Sequence, residues 1–217
     1  MNETLSTIDE LLRIPAPCPS PLSLACDGTT LWVGSSETRR LYGLNAQQGT
    51  VFEEATVPGR PFGACVTGDA LRVVVADEDD NRSVRRYIFG KDFKSEKMPC
   101  PGDTGSFLAY DGELLWISQR FDKRIVQVDE AGTVLRTVFF PREITGMVMV
   151  DGRFYFATTE SKDVDDYRLM RLDPASDQAK IEELASIPFT ARSLAWDGTR
   201  FWTANREENT LVAFARP

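Results

Sequence analysis

The sequence has no histidine in 217 residues. That absence excludes Ser-His-Asp triads, Cys-His pairs, His-ligated zinc and imidazole general bases. Its four cysteines, Cys18, Cys26, Cys65 and Cys100, form no CxxC pair, which argues against zinc and thioredoxin-like redox motifs. An intracellular chain of this size rarely depends on disulfides, so free thiols are expected. Positive charge is scarce: 25 Lys and Arg face 33 Asp and Glu, a net charge of −8. Nucleic acid is bound through clustered cations, so it is not an expected partner. No apolar run approaches the roughly 18 residues of a membrane span. The first ten residues lack the basic-then-apolar pattern of a secretory signal. A cytoplasmic monomer that binds no membrane is the expectation. The 42% hydrophobic content is enough for a sizeable core and argues against disorder.

What is present is a repeat. An apolar residue precedes proline at Ile14-Pro15, Val57-Pro58, Met98-Pro99, Phe140-Pro141 and Ile187-Pro188, with gaps of 43, 41, 42 and 47 residues. In register with these pairs run Asp27-Gly28, Gly68-Asp69, Asp111-Gly112, Asp151-Gly152 and Asp197-Gly198, each a turn signal between two apolar runs. After each turn comes an apolar run ending in a small residue: Leu31–Gly34, Val73–Ala76, Leu115–Ser118, Phe154–Ala157 and Phe201–Ala204. A polar loop and two more strand-like segments complete each unit. Four strands in about 43 residues is the signature of a β-propeller blade. Proline fits the end of the outer strand, because it cannot donate to a ladder and it discourages edge pairing.

The 29 residues after Pro188 and the first 15 together make one repeat length. The chain thus starts part-way through a blade. The expected fold is an all-β, five-bladed β-propeller with four antiparallel strands per blade, forming a single domain over residues 1–217. Residues Ser6 to Ile14 are expected to supply the fourth strand of the last blade and so close the ring.

In such a ring, side chains from every blade converge on the axis, and ligands bind at the channel mouth. The loops after the small residue place Ser35, Asp77, Gln119, Thr158 and Asn205 there, followed by Ser36, Glu78, Arg120, Thr159 and Arg206. The loops between blades add Arg60, Asp103, Arg142, Glu143 and Arg192. Arginine clamps anions bidentately. Hence Arg60, Asp77, Gln119, Arg120, Arg142, Arg192, Asn205 and Arg206 are candidate contacts for a small polar or anionic molecule. A self-satisfied ion network plugging the entrance is the structural alternative.

Without histidine, a bound metal would be hard and oxygen-ligated, such as Ca2+ or Mg2+. Asp77, Glu143, Glu160 and Asn205 are its candidate ligands. The acidic run Asp77 to Asn81 lacks the glycine and distal glutamate of an EF-hand loop and reads better as a solvated loop. Glu143 is the candidate acid–base residue, because it follows a strand-ending proline and enters the next inner strand. Cys26 and Cys65 read as core residues on inner strands. The recurring Trp32, Trp116 and Trp202 read as packing between blades.

The segment Ser193-Leu194-Ala195-Trp196-Asp197-Gly198-Thr199-Arg200-Phe201-Trp202 and its copies resemble propellers of the glutamine-cyclotransferase-like group. They also resemble the wider lactonase, gluconolactonase and virginiamycin-lyase-like propellers. The resemblance spans all five repeats. It implies that a glutamate near the channel mouth would act in cyclising N-terminal glutamine. Glu143-Ile144-Thr145-Gly146-Met147 is loosely similar to that family's Phe-Thr-Glu-Gly-Leu type of segment, with its glutamate three residues before the glycine rather than one. Virginiamycin-lyase-like enzymes use histidine with Mg2+, and histidine is absent here. Gluconolactonase-like enzymes hold a divalent metal with Glu, Asn and Asp, which the composition permits. Three functional readings stand open: an enzyme on a small polar substrate, a non-catalytic ligand-binding propeller, and a protein-interaction propeller.

Overall fold

The computed structural model describes residues 5–174 and 180–217. The first strand, β1 (Glu10–Pro15), is followed by five sets. Blade 1 is β2 (Pro21–Cys26), β3 (Thr30–Ser35), β4 (Arg40–Asn45) and β5 (Val51–Thr56). Blade 2 is β6 (Arg60–Thr67), β7 (Ala70–Ala76), β8 (Arg82–Ile88) and β9 (Phe93–Pro99). Blade 3 is β10 (Leu108–Tyr110), β11 (Leu115–Gln119), β12 (Arg124–Val128) and β13 (Val134–Phe139). Blade 4 is β14 (Glu143–Val150), β15 (Arg153–Thr159), β16 (Tyr167–Leu172) and β17 (Ile181–Ile187). Blade 5 is β18 (Ala191–Trp196), β19 (Phe201–Asn205) and β20 (Thr210–Phe214), completed by β1. Every pairing within the five four-stranded sheets is antiparallel, as in a five-bladed propeller. No helix among the described residues is long and apolar enough to cross a membrane.

The inner strands β2, β6, β10, β14 and β18 pack on one another in turn, and β18 returns to β2. The approach is close enough to require glycine. A Cβ on Gly63 would lie 2.3 Å from Phe107 Cα, and one on Gly146 would lie 2.4 Å from the Ser193 carbonyl carbon. Across the seam between blades 5 and 1, Leu24 N–H donates to Ser193 Oγ at 2.9 Å. All five repeat prolines lie at the end of a fourth strand or within two residues beyond it, as the ladder argument requires.

The expected closing strand forms, but it begins at Glu10 rather than Ser6. Residues before it first lie along blade 4: Thr7 bridges Ser186 in parallel, and Ile8 N–H donates to the Ser186 carbonyl at 2.9 Å. Glu10 to Pro15 then pair with Phe214 to Thr210. The N-terminal segment therefore ties two blades instead of one.

The turn aspartates of blades 1, 3 and 5 have two uses. One oxygen of Asp27, Asp111 and Asp197 accepts backbone N–H groups two and three residues on. The other accepts the indole N–H of the tryptophan five residues on: Trp32 at 3.2 Å, Trp116 at 2.8 Å and Trp202 at 2.8 Å. Sequence reading found both residues as repeats and took the indoles as packing alone. The carboxylate–indole staple is what joins them, and the fixed spacing of five was its signal. In blade 4 Tyr155 takes the tryptophan position and Val150 the aspartate position; the next residue, Asp151, is linked to Tyr155 through Arg216, which donates to Asp151 at 2.5 Å and to the Tyr155 hydroxyl at 3.1 Å.

Blade 2 corrects one alignment. Cys65 pairs with Arg72, as Ala25 pairs with Trp32 and Ala109 with Trp116. Arg72, not Val74, therefore occupies the tryptophan position, and Thr67 occupies the aspartate position. Strand β7 runs on to Ala76, so Asp77 lies two residues beyond the place of Ser35 and Asn205.

Burial pushes the Asp197 carboxyl up, but hydrogen bonds from Trp202, Arg200 and the Thr199 backbone outweigh it and hold it well below the usual carboxylate range. The Asp27 and Asp111 carboxyls are also lowered, burial opposing and the turn N–H and indole donors prevailing. A lowered native pKa gives stability that is complete above the unfolded value of about 4 and fades as pH falls below it. Asp197→Asn should cost about 1–3 kcal/mol at pH 7 and flatten the acid limb of a urea-denaturation series. Deleting residues 1–15 should lower the melting temperature sharply, because two blades lose their outer contact; full-length thermal behaviour would contradict the closure.

Candidate functional site

The mouth of the ring is where inner strands begin and second strands end. Glu143 opens β14 opposite Thr159, and Ala191 opens β18 opposite Asn205. Asn205 corresponds along the ladder to Thr158, so the Glu143–Thr159 pair stands one residue further out than the Ala191–Asn205 pair. Glu143 is buried, and its Oε2 accepts Arg120 Nε at 2.9 Å. This pair spans the boundary between blades 3 and 4.

Arg192 is the unusual member. Only 8% of it is exposed. It donates to the Tyr167 hydroxyl at 3.0 Å and to the Ala191 carbonyl at 3.0 Å, while its Nε is buried with no acceptor. Among the described residues no carboxylate forms an ion pair with it. Burial lowers its pKa, Tyr167 opposes this, and the cations of Arg120 and Arg206 add to it. Arginine keeps its charge even so. Three guanidiniums thus act on one another here, and one of them, Arg120, is paired with Glu143.

The remaining candidates lie elsewhere or are already engaged. Arg60 is half-buried and pairs with Asp80 at 2.8 Å. Arg142 donates to the Asp166 carboxylate at 2.9 Å and to the Asp166 carbonyl. Gln119 is buried and fully used, donating to the Pro101 carbonyl and to Thr104 Oγ1, both at 2.7 Å, and accepting Arg124 Nε at 2.6 Å. Asn205 is buried and accepts the Glu208 N–H at 3.4 Å, which organises its own turn. Arg206 is exposed at the rim. Asp77 is exposed and caps its own loop through the N–H groups of Asp79 and Asn81.

Glu160 is exposed. Among the described residues no three His, Cys, Asp or Glu come together as a metal-holding group, so Asp77, Glu143 and Glu160 do not converge. Glu143 is held by Arg120 and Asp77 by its own loop. All four cysteines are free. Burial pushes the thiols of Cys18, Cys65 and Cys100 up to about 12 and that of Cys26 to about 11, which leaves them inert at neutral pH.

Two residues escaped sequence reading. Tyr167 carries no motif; only the fold brings it to Arg192. Phe121 had a signal, being an aromatic directly after Arg120 in otherwise polar loops. It is 72% exposed, and the Arg120 guanidinium lies 5.3 Å from its ring centroid. Phe121, Arg120, Gln119 and Arg82 line a cavity of about 160 Å³ beside the mouth. The opposite end of the channel is apolar. Three residues from each inner strand, among them Cys26, Cys65, Tyr110 and Trp196, enclose about 140 Å³ there.

No family model matches the chain, and no curated protein matches it either. Its likeness is to solved β-propeller structures. Glutaminyl cyclase from Myxococcus xanthus superposes with a TM-score of 0.73 at 12% identity, covering 99% of this chain and 100% of that one. The PQQ-bound form of aldose sugar dehydrogenase from Streptomyces coelicolor gives 0.60 at 12% identity, covering 96% and 98%. Hydrazine synthase from Kuenenia stuttgartiensis gives 0.56 at 14% identity over 86% of this chain, which spans only 62% of that one. At these identities the shared property is the propeller fold.

Breaking the Arg120–Glu143 pair from one side leaves a buried charge uncompensated. Arg120→Gln should cost about 2–4 kcal/mol in urea denaturation, and adding Glu143→Gln should recover most of that loss. Additive losses would show that the two side chains do not depend on each other.

Proposed function

We propose that this propeller binds a small polar or anionic molecule at its channel mouth, between Glu143, Arg120, Arg192 and Arg206. The observation that carries the reading is Arg192. A buried guanidinium without a counter-ion is costly, and two further arginines beside it raise that cost. A ligand carrying negative charge removes it, with Arg192 as its anchor and the Tyr167 hydroxyl fixing the guanidinium plane. The Arg120–Glu143 pair then acts as the polar wall that reads the rest of the ligand. The expected response is a melting temperature that rises with millimolar inorganic phosphate or citrate. Arg192→Gln should abolish that rise; an equal rise in the variant would remove Arg192 from the site.

A second reading, as an enzyme of the cyclotransferase kind, is favoured by the near-complete superposition on the Myxococcus xanthus glutaminyl cyclase and by the buried Glu143 at the mouth. In this reading the α-amine of an N-terminal glutamine attacks its own side-chain amide carbon. Ammonia leaves, and the Glu143 carboxylate takes the proton from the amine and passes it to the departing group. Arg120 keeps that carboxylate in place. The assay is ammonia release from a glutamine-initiated peptide. Activity that Glu143→Gln abolishes without unfolding the protein would establish the enzyme. No ammonia from the intact protein would leave binding as the function.

A further inference from the structure

We propose a second ligand site, distinct from the mouth, in the groove between blades 2 and 3, for a small molecule that joins one carboxylate to an apolar body. The starting point is the comparison of the five repeats with one another. The staple position holds tryptophan in blades 1, 3 and 5 and tyrosine in blade 4, but arginine (Arg72) in blade 2. The aspartate position holds Thr67. Blade 4 replaces both halves too but keeps a link through Arg216, whereas in blade 2 the two replacements are not joined and line a single cavity of about 350 Å³. That volume falls within the range of small-molecule pockets. It adjoins a second groove of about 390 Å³, which shares Arg72, Val84, Met98 and Glu130 with it.

Arg72 forms no hydrogen bond or ion pair with any described residue, and its Nε is buried. Directly across the strand pair stands Arg86. Arg86 donates to Asp69 at 2.9 Å, yet its own Nε is also buried without an acceptor. Like charges placed opposite each other on adjacent strands destabilise a sheet. A bound carboxylate relieves both defects by accepting from the Arg72 guanidinium and screening it from Arg86. The cavity beyond is mixed: Val84, Met98, Leu115 and Val128 give it an apolar strip. Glu113, Asp129 and Glu130 stand on the blade 3 side. They repel a second negative charge and place the ligand's single charge on blade 2.

The experiment is calorimetric titration of the full chain with 4-phenylbutyrate, its neutral amide and phenyl phosphate. The carboxylate should bind at millimolar affinity or better, and the amide about tenfold more weakly. Arg72→Gln should weaken the carboxylate by about tenfold or more, Arg72→Lys by less, and Arg192→Gln not at all. The double variant Thr67→Asp/Arg72→Trp restores the staple; it should melt at a higher temperature and lose the site. If Arg72→Gln fails to fold, Arg72→Lys and the restored staple still decide the matter. Equal affinity for acid and amide, no carboxylate binding at about 10 mM, or unchanged affinity in folded Arg72 variants would overturn the assignment. Preference for phenyl phosphate would overturn the single-charge requirement. Because Arg192→Gln disables only the mouth, failure there and failure here are separately visible.

Discussion

A carboxylate that holds its own turn with one oxygen and an indole with the other organises this molecule. In blades 1, 3 and 5 it joins the turn after the inner strand to the side chain of the second strand. The hairpin is thereby held at both the backbone and the side chain. Its inner strand can then be presented to the next blade at a separation that only Gly63 and Gly146 tolerate. Blade 4 achieves the same end with Asp151, Arg216 and Tyr155. Blade 2 has no such lock, and the largest departure from the repeat lies beside it.

Charge is distributed in the same logic. Most arginines on the surface meet a carboxylate, as Arg60 meets Asp80 and Arg142 meets Asp166. Such exposed or half-exposed pairs contribute little to stability. Arg192 and Arg72 differ because no carboxylate among the described residues pairs with them. In a chain with net charge −8, cations left without partners are not a shortage of acids. On the reading proposed above, they mark places where a ligand supplies the acid.

The absence of histidine now has a narrower meaning. On the proposed reading, the mouth works through Glu143, the arginines and the Tyr167 hydroxyl. Burial raises the thiols beyond use at neutral pH, and the carboxylates proposed for a metal do not gather. A single carboxylate paired to arginine suits binding or a proton relay within one bound molecule. It does not suit chemistry that needs two acids in concert.

Five blades, their four strands, the prolines at outer edges and the closing N-terminal strand were all legible in the chain. Each follows from local residue types recurring at a fixed period, and a period survives small errors of alignment. The register of Glu143, Arg120, Arg192 and Arg206 on their strands was legible for the same reason. Asp77 was not: β7 is longer than its counterparts, and apolar valines cannot report a slip of two residues because each fits the pattern equally well. Only the ladder, through Cys65 and Arg72, could show that an arginine sits where its sister blades have aromatic rings. Which charges are paired is likewise a property of distance across blades. Tyr167 and Arg192 are 25 residues apart and meet at 3.0 Å. Repetition is written along the chain, whereas partnership between repeats exists only once the ring is closed.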